Sequence, residues 1–288
     1  MLKKYKFENW IVAFRHHDPA VLYGDEPFAA IKNPLLFWAA DPFVVHEGDD
    51  HFVFAELYNR LTYKGDIRYC IIRKDGTVTR WKKALHTGKH LSFPYIYRKN
   101  GVYYMVPEAS KAGTLKIYRA LSFPNKWVEE KVLARDVRYA DSIFLDETHI
   151  LTYDNHARPR RAIVLVQQDG AWVERQNVED PTVIFRPAGK AFVFENETYL
   201  PFQDSSNGEY GGCMRFSKVE LRDDEFKISE DVLAVRPERL KVDGIETASI
   251  VGVHTYNFEG DIEVIDVKEL TPNMFSLIGY CIRKLLKR

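Results

Sequence analysis

The chain has 288 residues, a length ordinary for one all-β domain. Its 41 Lys+Arg balance its 41 Asp+Glu, which excludes a globally basic nucleic-acid binder and a protein built to hold an acidic polymer. No segment reaches the roughly 18 apolar residues of a membrane-spanning helix, and Cys70, Cys213 and Cys281 show neither metal-ligand nor disulfide-framework spacing.

Residues 1–8 are charged and no signal-peptide-like apolar run follows, so a cytoplasmic location is expected. His16-His17-Asp18 resembles a metal site only weakly, because adjacent histidines on one strand point to opposite faces. From there β-type sequence recurs. Strands are predicted at 41–45, 51–57 and 65–72, closed by Lys74-Asp75-Gly76, and again at 94–97, 102–108 and 115–119, with the turn Lys99-Asn100-Gly101 between the first two. Asn-Gly and Asp-Gly accept positive φ and are strong hairpin signals. A third group covers 142–145, 149–153 and 162–167, with Asp169-Gly170 before Trp172. A fourth covers 191–194, 198–202 and 213–219, and a fifth 250–256 and 262–266.

Each group opens on a similar phrase: Ala40-Asp41-Pro42-Phe43, Ser92-Phe93-Pro94-Tyr95, Ala140-Asp141-Ser142-Ile143, Arg186-Pro187-Ala188-Gly189 and, more loosely, Val251-Gly252-Val253-His254. A period near fifty (about 53, 47, 47 and 66 residues between Asp41, Pro94, Asp141, Ala188 and His254) with β-type content predicts an all-β, five-bladed β-propeller over residues 1–270. Thr271-Pro272 then reads as a helix start, and Phe275, Ile278, Ile282, Leu285 and Leu286 recur at helical spacing beside Arg283, Lys284, Lys287 and Arg288. Residues 271–288 are therefore expected to form a short basic amphipathic helix, packed on the propeller or lying peripherally on the inner face of an anionic membrane.

In a propeller the opening strands line one shaft, so Asp41, Asp141 and Arg186 converge, and Glu56, Glu108, Asp154 and Gln203-Asp204 hold comparable places on the second strands. Such a cluster suits acid–base work on a sugar, where like charges and burial push pKa values apart. Any one of these residues also has a structural reading, as a turn cap or an inter-blade ion pair. His254 reads first as a hydrogen-bonded core histidine. Arg158-Pro159-Arg160-Arg161 is a basic loop that reads as a solvated turn or, at a pocket rim, as a phosphate contact.

The phrases above, with His90-Leu91-Ser92-Phe93-Pro94, Pro107-Glu108, Tyr118-Arg119-Ala120, Phe123-Pro124, Trp127, Gln203-Asp204 and Gly252-Val253-His254, resemble the N-terminal propeller domain of the glucosamine inositolphosphorylceramide transferase family over roughly residues 35–268. That domain is similar in turn to the five-bladed glycoside hydrolases of family 43. The hydrolase resemblance implies a general base at Asp41 and a second, pKa-tuning carboxylate at Asp141. Where it implies a general-acid glutamate, this chain has Arg186-Pro187-Ala188-Gly189, and Glu108 is the substitute within reach. Expelling an alkoxide calls for a proton donor, whereas expelling a phosphate calls for positive charge. The departure thus implies a glycosyltransferase-like enzyme of surface polysaccharide or glycolipid synthesis. In it Asp41, Asp141 and Glu108 are catalytic, and Glu56, Pro94, Arg186, Gln203, Asp204 and His254 are substrate-binding. Its partners would be a sugar donor and a glycan or glycolipid acceptor, with no nucleic acid, cofactor or metal. A furanosidase- or xylosidase-type glycoside hydrolase and a non-catalytic sugar-binding module are the alternatives.

Overall fold

Fifty-residue spacing becomes five antiparallel sheets in the protein, seen here as a computed structural model that describes residues 6–178, 185–205 and 209–272. Blade one runs Phe37–Glu47, Asp50–Asn59, Lys64–Ile72 and Lys82–Leu85, each strand paired with the next. Blade two runs Ser92–Lys99, Val102–Glu108, Thr114–Ser122 and Lys126–Arg135. Blade three runs Tyr139–Phe144, His149–Asp154, Arg161–Gln168 and Ala171–Val178. In blade four the inner strand is broken into Arg186–Pro187 and Phe192–Phe194, both paired with Glu197–Asp204, and Cys213–Arg222 and Glu225–Val235 follow.

Blade five departs from the sequence reading. Its inner edge is Ile250–Gly252 and Tyr256–Glu259, and its second strand is Ile262–Pro272. The third strand is Lys6–His16, from the other end of the chain, paired antiparallel with Ile262–Pro272 along its whole length, and Ala29–Ala30 forms the fourth. The run Trp10-Ile11-Val12-Ala13-Phe14 thus closes the ring. Trp10, Val12 and Ala13 are buried, and so is the Arg15 guanidinium, paired with Glu263 and lying 4.1 Å over the Phe28 ring. Joining the first strand to the last covers the edge of Ile262–Pro272 that blade five would otherwise expose.

The expected C-terminal helix needs a correction at its start. Thr271 and Pro272 end the long second strand of blade five, because pairing with Lys6 and Phe7 extends the ladder that far. The rest of the expected helix, 273–288, lies outside the described residues. Among the described residues the only helical segments are the three-residue turns Ser110–Ala112, Pro237–Arg239 and Thr247–Ser249, and none is long and apolar enough to cross a membrane.

The repeated phrase has a definite backbone form. Ala40 pairs with Glu56 and Phe43 with Phe54, so the strand holds an extra residue between them; the same irregularity separates Ser92 from Tyr95 and Ala140 from Ile143. At each bulge one residue takes positive φ: Asp41 (55°), Phe93 (42°) and Asp141 (49°). Aspartate tolerates this region better than most residues, and a bulge re-aims the side chain that carries it. Phe93, and not Pro94, is therefore the blade-two counterpart of Asp41. Pro94 sits one position on, buried within the strand. Apolar side chains fill the seams between blades, as where Phe43 meets Phe93 edge-on at 4.9 Å.

Candidate functional site

The bulges place their side chains at the shaft, and the carboxylates there are bound across blades. Asp266, fully buried on Ile262–Pro272, is the hub. Its Oδ1 accepts the backbone N–H groups of His254 and Thr255, each at 3.0 Å. Its Oδ2 accepts the Asp41 N–H at 2.8 Å and His254 Nδ1 at 2.7 Å. Asp41 passes the pattern on: its Oδ2 accepts the Phe93 N–H at 3.1 Å, while Thr255 Oγ1 (3.3 Å) and His254 Nε2 (3.5 Å) approach its Oδ1. Each carboxylate therefore satisfies the amide of the next blade's bulge, an amide that bulging removes from the ladder.

Asp41, His254 and Asp266 offer ligand atoms within 4.8 Å of one another, a spacing a cation uses. Both Asp266 oxygens are already taken by N–H donors, however, so the trio as built is a hydrogen-bonded lock on blades five and one. Trp10 covers it, stacked on His254 at 4.1 Å. Burial pulls the His254 pKa down, but Asp266 and Asp41 outweigh it and hold the imidazole above its ordinary value. Burial pushes Asp41 up to about 6 against the pull of His254.

A second group faces it. Arg186 donates through Nε to Asp141 Oδ2 and reaches Glu108 Oε2 at 3.5 Å. Gln203 Nε2 also donates to Asp141 Oδ2, at 2.9 Å. Blades two, three and four thus each contribute to one ion-pair cluster. Its guanidinium lies between the Tyr153 and Tyr210 rings, 5.7 and 5.4 Å from their centroids. Burial raises Asp141 to about 7, opposed by Arg186 and aided by Glu108, while Arg186 stays charged because its carboxylates outweigh its own burial. The side chains of Asp41, Glu108 and Arg186 keep 8%, 9% and 16% of their surface open.

Glu56 lies beside these groups, and among the described residues no Lys or Arg is within ion-pair distance of it, Lys111 acting on it only from further off. His90 Nδ1 is 3.7 Å from Glu56 Oε1, but that nitrogen accepts the Gly65 N–H at 2.9 Å and so carries no proton to give. Oε1 has no hydrogen-bond partner. The carboxyl fits only because position 65 is glycine: a Cβ there would lie 2.2 Å from Oε1. Burial first, then Asp41 and Glu108, push Glu56 well above the ordinary carboxylate range, and burial drops His90 to about 4, so the imidazole is neutral at pH 7.

A sequence family described as Glucosamine inositolphosphorylceramide transferase 1, N-terminal, matches residues 30–245. The chain belongs to that family. Glucosamine inositolphosphorylceramide transferase 1 of Oryza sativa subsp. indica is 32% identical over 205 residues, covering 66% of this chain and 27% of the rice protein. The Arabidopsis thaliana protein of the same name is 27% identical over 300 aligned residues, covering 88% of this chain and 37% of its own. The chain therefore spans only about a quarter to just over a third of these relatives. Two solved structures share the architecture. The catalytic domain of the Coprinopsis cinerea GH62 α-L-arabinofuranosidase has a TM-score of 0.55 at 12% identity, with 80% of this chain and 90% of that chain covered. Xylan β-1,4-xylosidase from Bacillus halodurans C-125 has a TM-score of 0.52 at 12% identity, with 83% and 54% covered. Likeness at that identity shows a shared fold.

Of the residues singled out from the sequence, Asp41, Glu56, Glu108, Asp141, Arg186, Gln203 and His254 come together around the shaft, as the contacts above show. Asp204 does not: side chains alternate along a strand, so it faces away from Gln203 and meets Arg215 Nε at 2.6 Å, beside a separate cavity between blades four and five. Asp154 is one position out of register, since Tyr153 pairs with Ala140 where Glu56 pairs with Ala40, and it caps the loop amides of His156 and Ala157. Arg158 in the basic loop donates to nearby loop carbonyls, and Arg161 pairs with Glu174. His16 and His17 face opposite ways, one exposed and one buried against Glu263. Sequence reasoning missed Asp266, Trp10, Thr255 and Tyr210. An ionisable residue inside the apolar run 262–267 was the available signal for Asp266, and the apolar run 10–14 was the signal for Trp10.

Proposed function

We propose that this propeller acts on carbohydrate at the mouth of its shaft, transferring a glycosyl group to a hydroxyl of a glycan or glycolipid acceptor. The observation that carries the reading is the pair of facing clusters: Asp41 beside the His254–Asp266 lock, and Arg186 braced by Asp141 and Glu108 from two other blades. Ionised above pH 6, Asp41 takes the proton of the acceptor hydroxyl through the oxygen that faces Thr255. Arg186 faces the leaving group. Its contact with Glu108 is long, at 3.5 Å, and yields to a phosphate while Asp141 keeps the guanidinium oriented. The printed name of the curated relatives, glucosamine inositolphosphorylceramide transferase 1, supports this direction.

A hydrolytic reading has one specific observation in its favour. Glu56, a carboxyl whose protonated form burial favours and whose Oε1 has no partner among the described residues, suits a proton donor for an alkoxide leaving group better than the ion-paired Glu108 does.

The test separates the two. Wild type is supplied with nucleotide sugars plus glycan or glycolipid acceptors, and separately with aryl furanosides and xylosides. Transfer predicts turnover only of the first set, with a rate that climbs through about pH 6 as Asp41 ionises. Asp41→Asn keeps an oxygen for the Phe93 N–H and should bind sugar while losing about 10²- to 10⁴-fold in turnover. Wild-type rates in that variant would remove Asp41 as the base, and turnover of the second set that Glu56→Gln abolishes would establish hydrolysis.

A further inference from the structure

A cavity of about 630 Å³ opens at the outer side of blade one, under the loop that enters it. Lys32, Arg68 and Arg80 line it and no acidic residue does, although Arg68 Nε pairs with Asp66 at 3.0 Å behind the lining, so Lys32 and Arg80 carry its charge. Trp81 is only 8% exposed, and the Asn33 amide is fixed by donating to the Trp10 carbonyl at 2.8 Å, so the lining is held in place. Basic side chains in the lining with no acidic one among them suit an anion such as a phosphate group.

Beside this cavity stands an exposed apolar tip. Leu35, which also lines the cavity, is 88% exposed, and Leu61 and Tyr63 in the adjoining hairpin are 68% and 72% exposed. The two loops are tied by the Arg60 N–H to the Leu36 carbonyl at 2.9 Å. Leu36 and Tyr63 hold positive φ, 67° and 56°, which bulky side chains adopt only at a local cost. Asn59 braces the hairpin by accepting from the Leu61 and Thr62 amides. A rigid tip holding leucines out in water beside a cationic pocket has the chemistry of a lipid interface: apolar side chains for the acyl boundary and basic ones for the headgroups. The register fixes its place. Phe37 and Asn59 pair three residues beyond Ala40 and Glu56, so the tip stands roughly 10 Å beyond Glu56 at the same end of blade one.

We propose that this face docks on an anionic phospholipid surface, with Lys32 and Arg80 against the headgroup phosphates and Leu35, Leu61 and Tyr63 in the interface. Docking there sets the Glu56 end of blade one toward the bilayer. It is independent of which reaction the shaft carries out and of residues 273–288.

Co-sedimentation of the full chain with phosphatidylcholine vesicles, with and without phosphatidylglycerol, tests this. Wild type should bind only the phosphatidylglycerol vesicles, and less as salt rises. Leu35→Ser with Leu61→Ser, both exposed and so compatible with folding, should weaken partitioning about tenfold or more. Lys32→Glu with Arg80→Glu should abolish the preference for phosphatidylglycerol, with the melting temperature unchanged in both variants. Vesicle binding by the double-leucine variant equal to wild type would overturn the proposal, leaving binding to other parts of the chain. So would soluble glycerol phosphate that binds in an Arg80-dependent way to a protein that ignores vesicles, or a wild-type dimer that the leucine substitutions dissociate in a protein that ignores vesicles.

Discussion

Asp266 presents two oxygens to four N–H donors, and each donor belongs to the break in the inner edge of blade five or to the bulge of blade one. A carboxylate so saturated is a structural device, and its effect is to set the backbone that aims Asp41. His254 is the titratable part of the lock. Because its pKa is raised in the fold, the native protein holds that proton more tightly than the unfolded chain does. The resulting stability is complete below the unfolded value near 6.5 and fades as pH climbs through the folded one. His254→Gln should therefore cost about 3 kcal/mol at pH 6 and progressively less at higher pH, leaving the pH-independent loss of the Trp10 stack. Urea melts of both proteins across that range check it, and a stability gap that widens with pH would reverse the assignment. At this scale the sequence showed ionisable residues in apolar runs. It did not show their pairings, because Asp41 and Asp266 are 225 positions apart.

Hairpins were the most legible elements. Asn100-Gly101 and Asp169-Gly170 take the positive φ values that tight turns require, and apolar runs flank them. Outer strands were poorly legible for an equally physical reason. Lys126–Arg135 and Glu225–Val235 are largely exposed, so their side chains are mixed and show little alternation. The broken inner strand of blade four was read as a variant of the repeated phrase, and its glycine explains the break. Gly189 passes so close to blade five that a Cβ would lie 1.9 Å from the Tyr256 carbonyl oxygen, and the Tyr256 N–H bonds back to the Ala188 carbonyl at 2.8 Å. Gly189→Ala should force the two blades apart at a cost of about 3 kcal/mol, seen as a lower urea midpoint. An unchanged midpoint would show that the seam yields freely.

Five sheets around a shaft make a ring only if the last blade is completed, and Lys6–His16 completes it. Deleting residues 1–16 removes the third strand of blade five with Trp10 and Val12 and uncovers Val264, Ile265 and Val267. The truncated chain should lose its cooperative urea transition and aggregate through the bared edge. A soluble monomer with the wild-type midpoint would show that closure is dispensable. The same closure places Trp10 over His254, so ring and site are joined at one residue.

By itself the sequence determined the blade, its hairpins, the period near fifty, and the aspartates and arginine that open successive units. These are local or periodic properties, written in side-chain alternation and turn chemistry within a few dozen residues. The tertiary structure decided the rest. It showed that the opening phrase is a bulge, and that Arg186 is braced by Asp141 and Glu108. It showed that Asp204 and Asp154 turn away, and that the N-terminal strand belongs to the last blade. These depend on pairing between segments, from neighbouring strands such as Ala140 with Tyr153 to the two ends of the chain at Lys6 and Pro272, and a shift of one residue sends a side chain to the opposite face of its sheet.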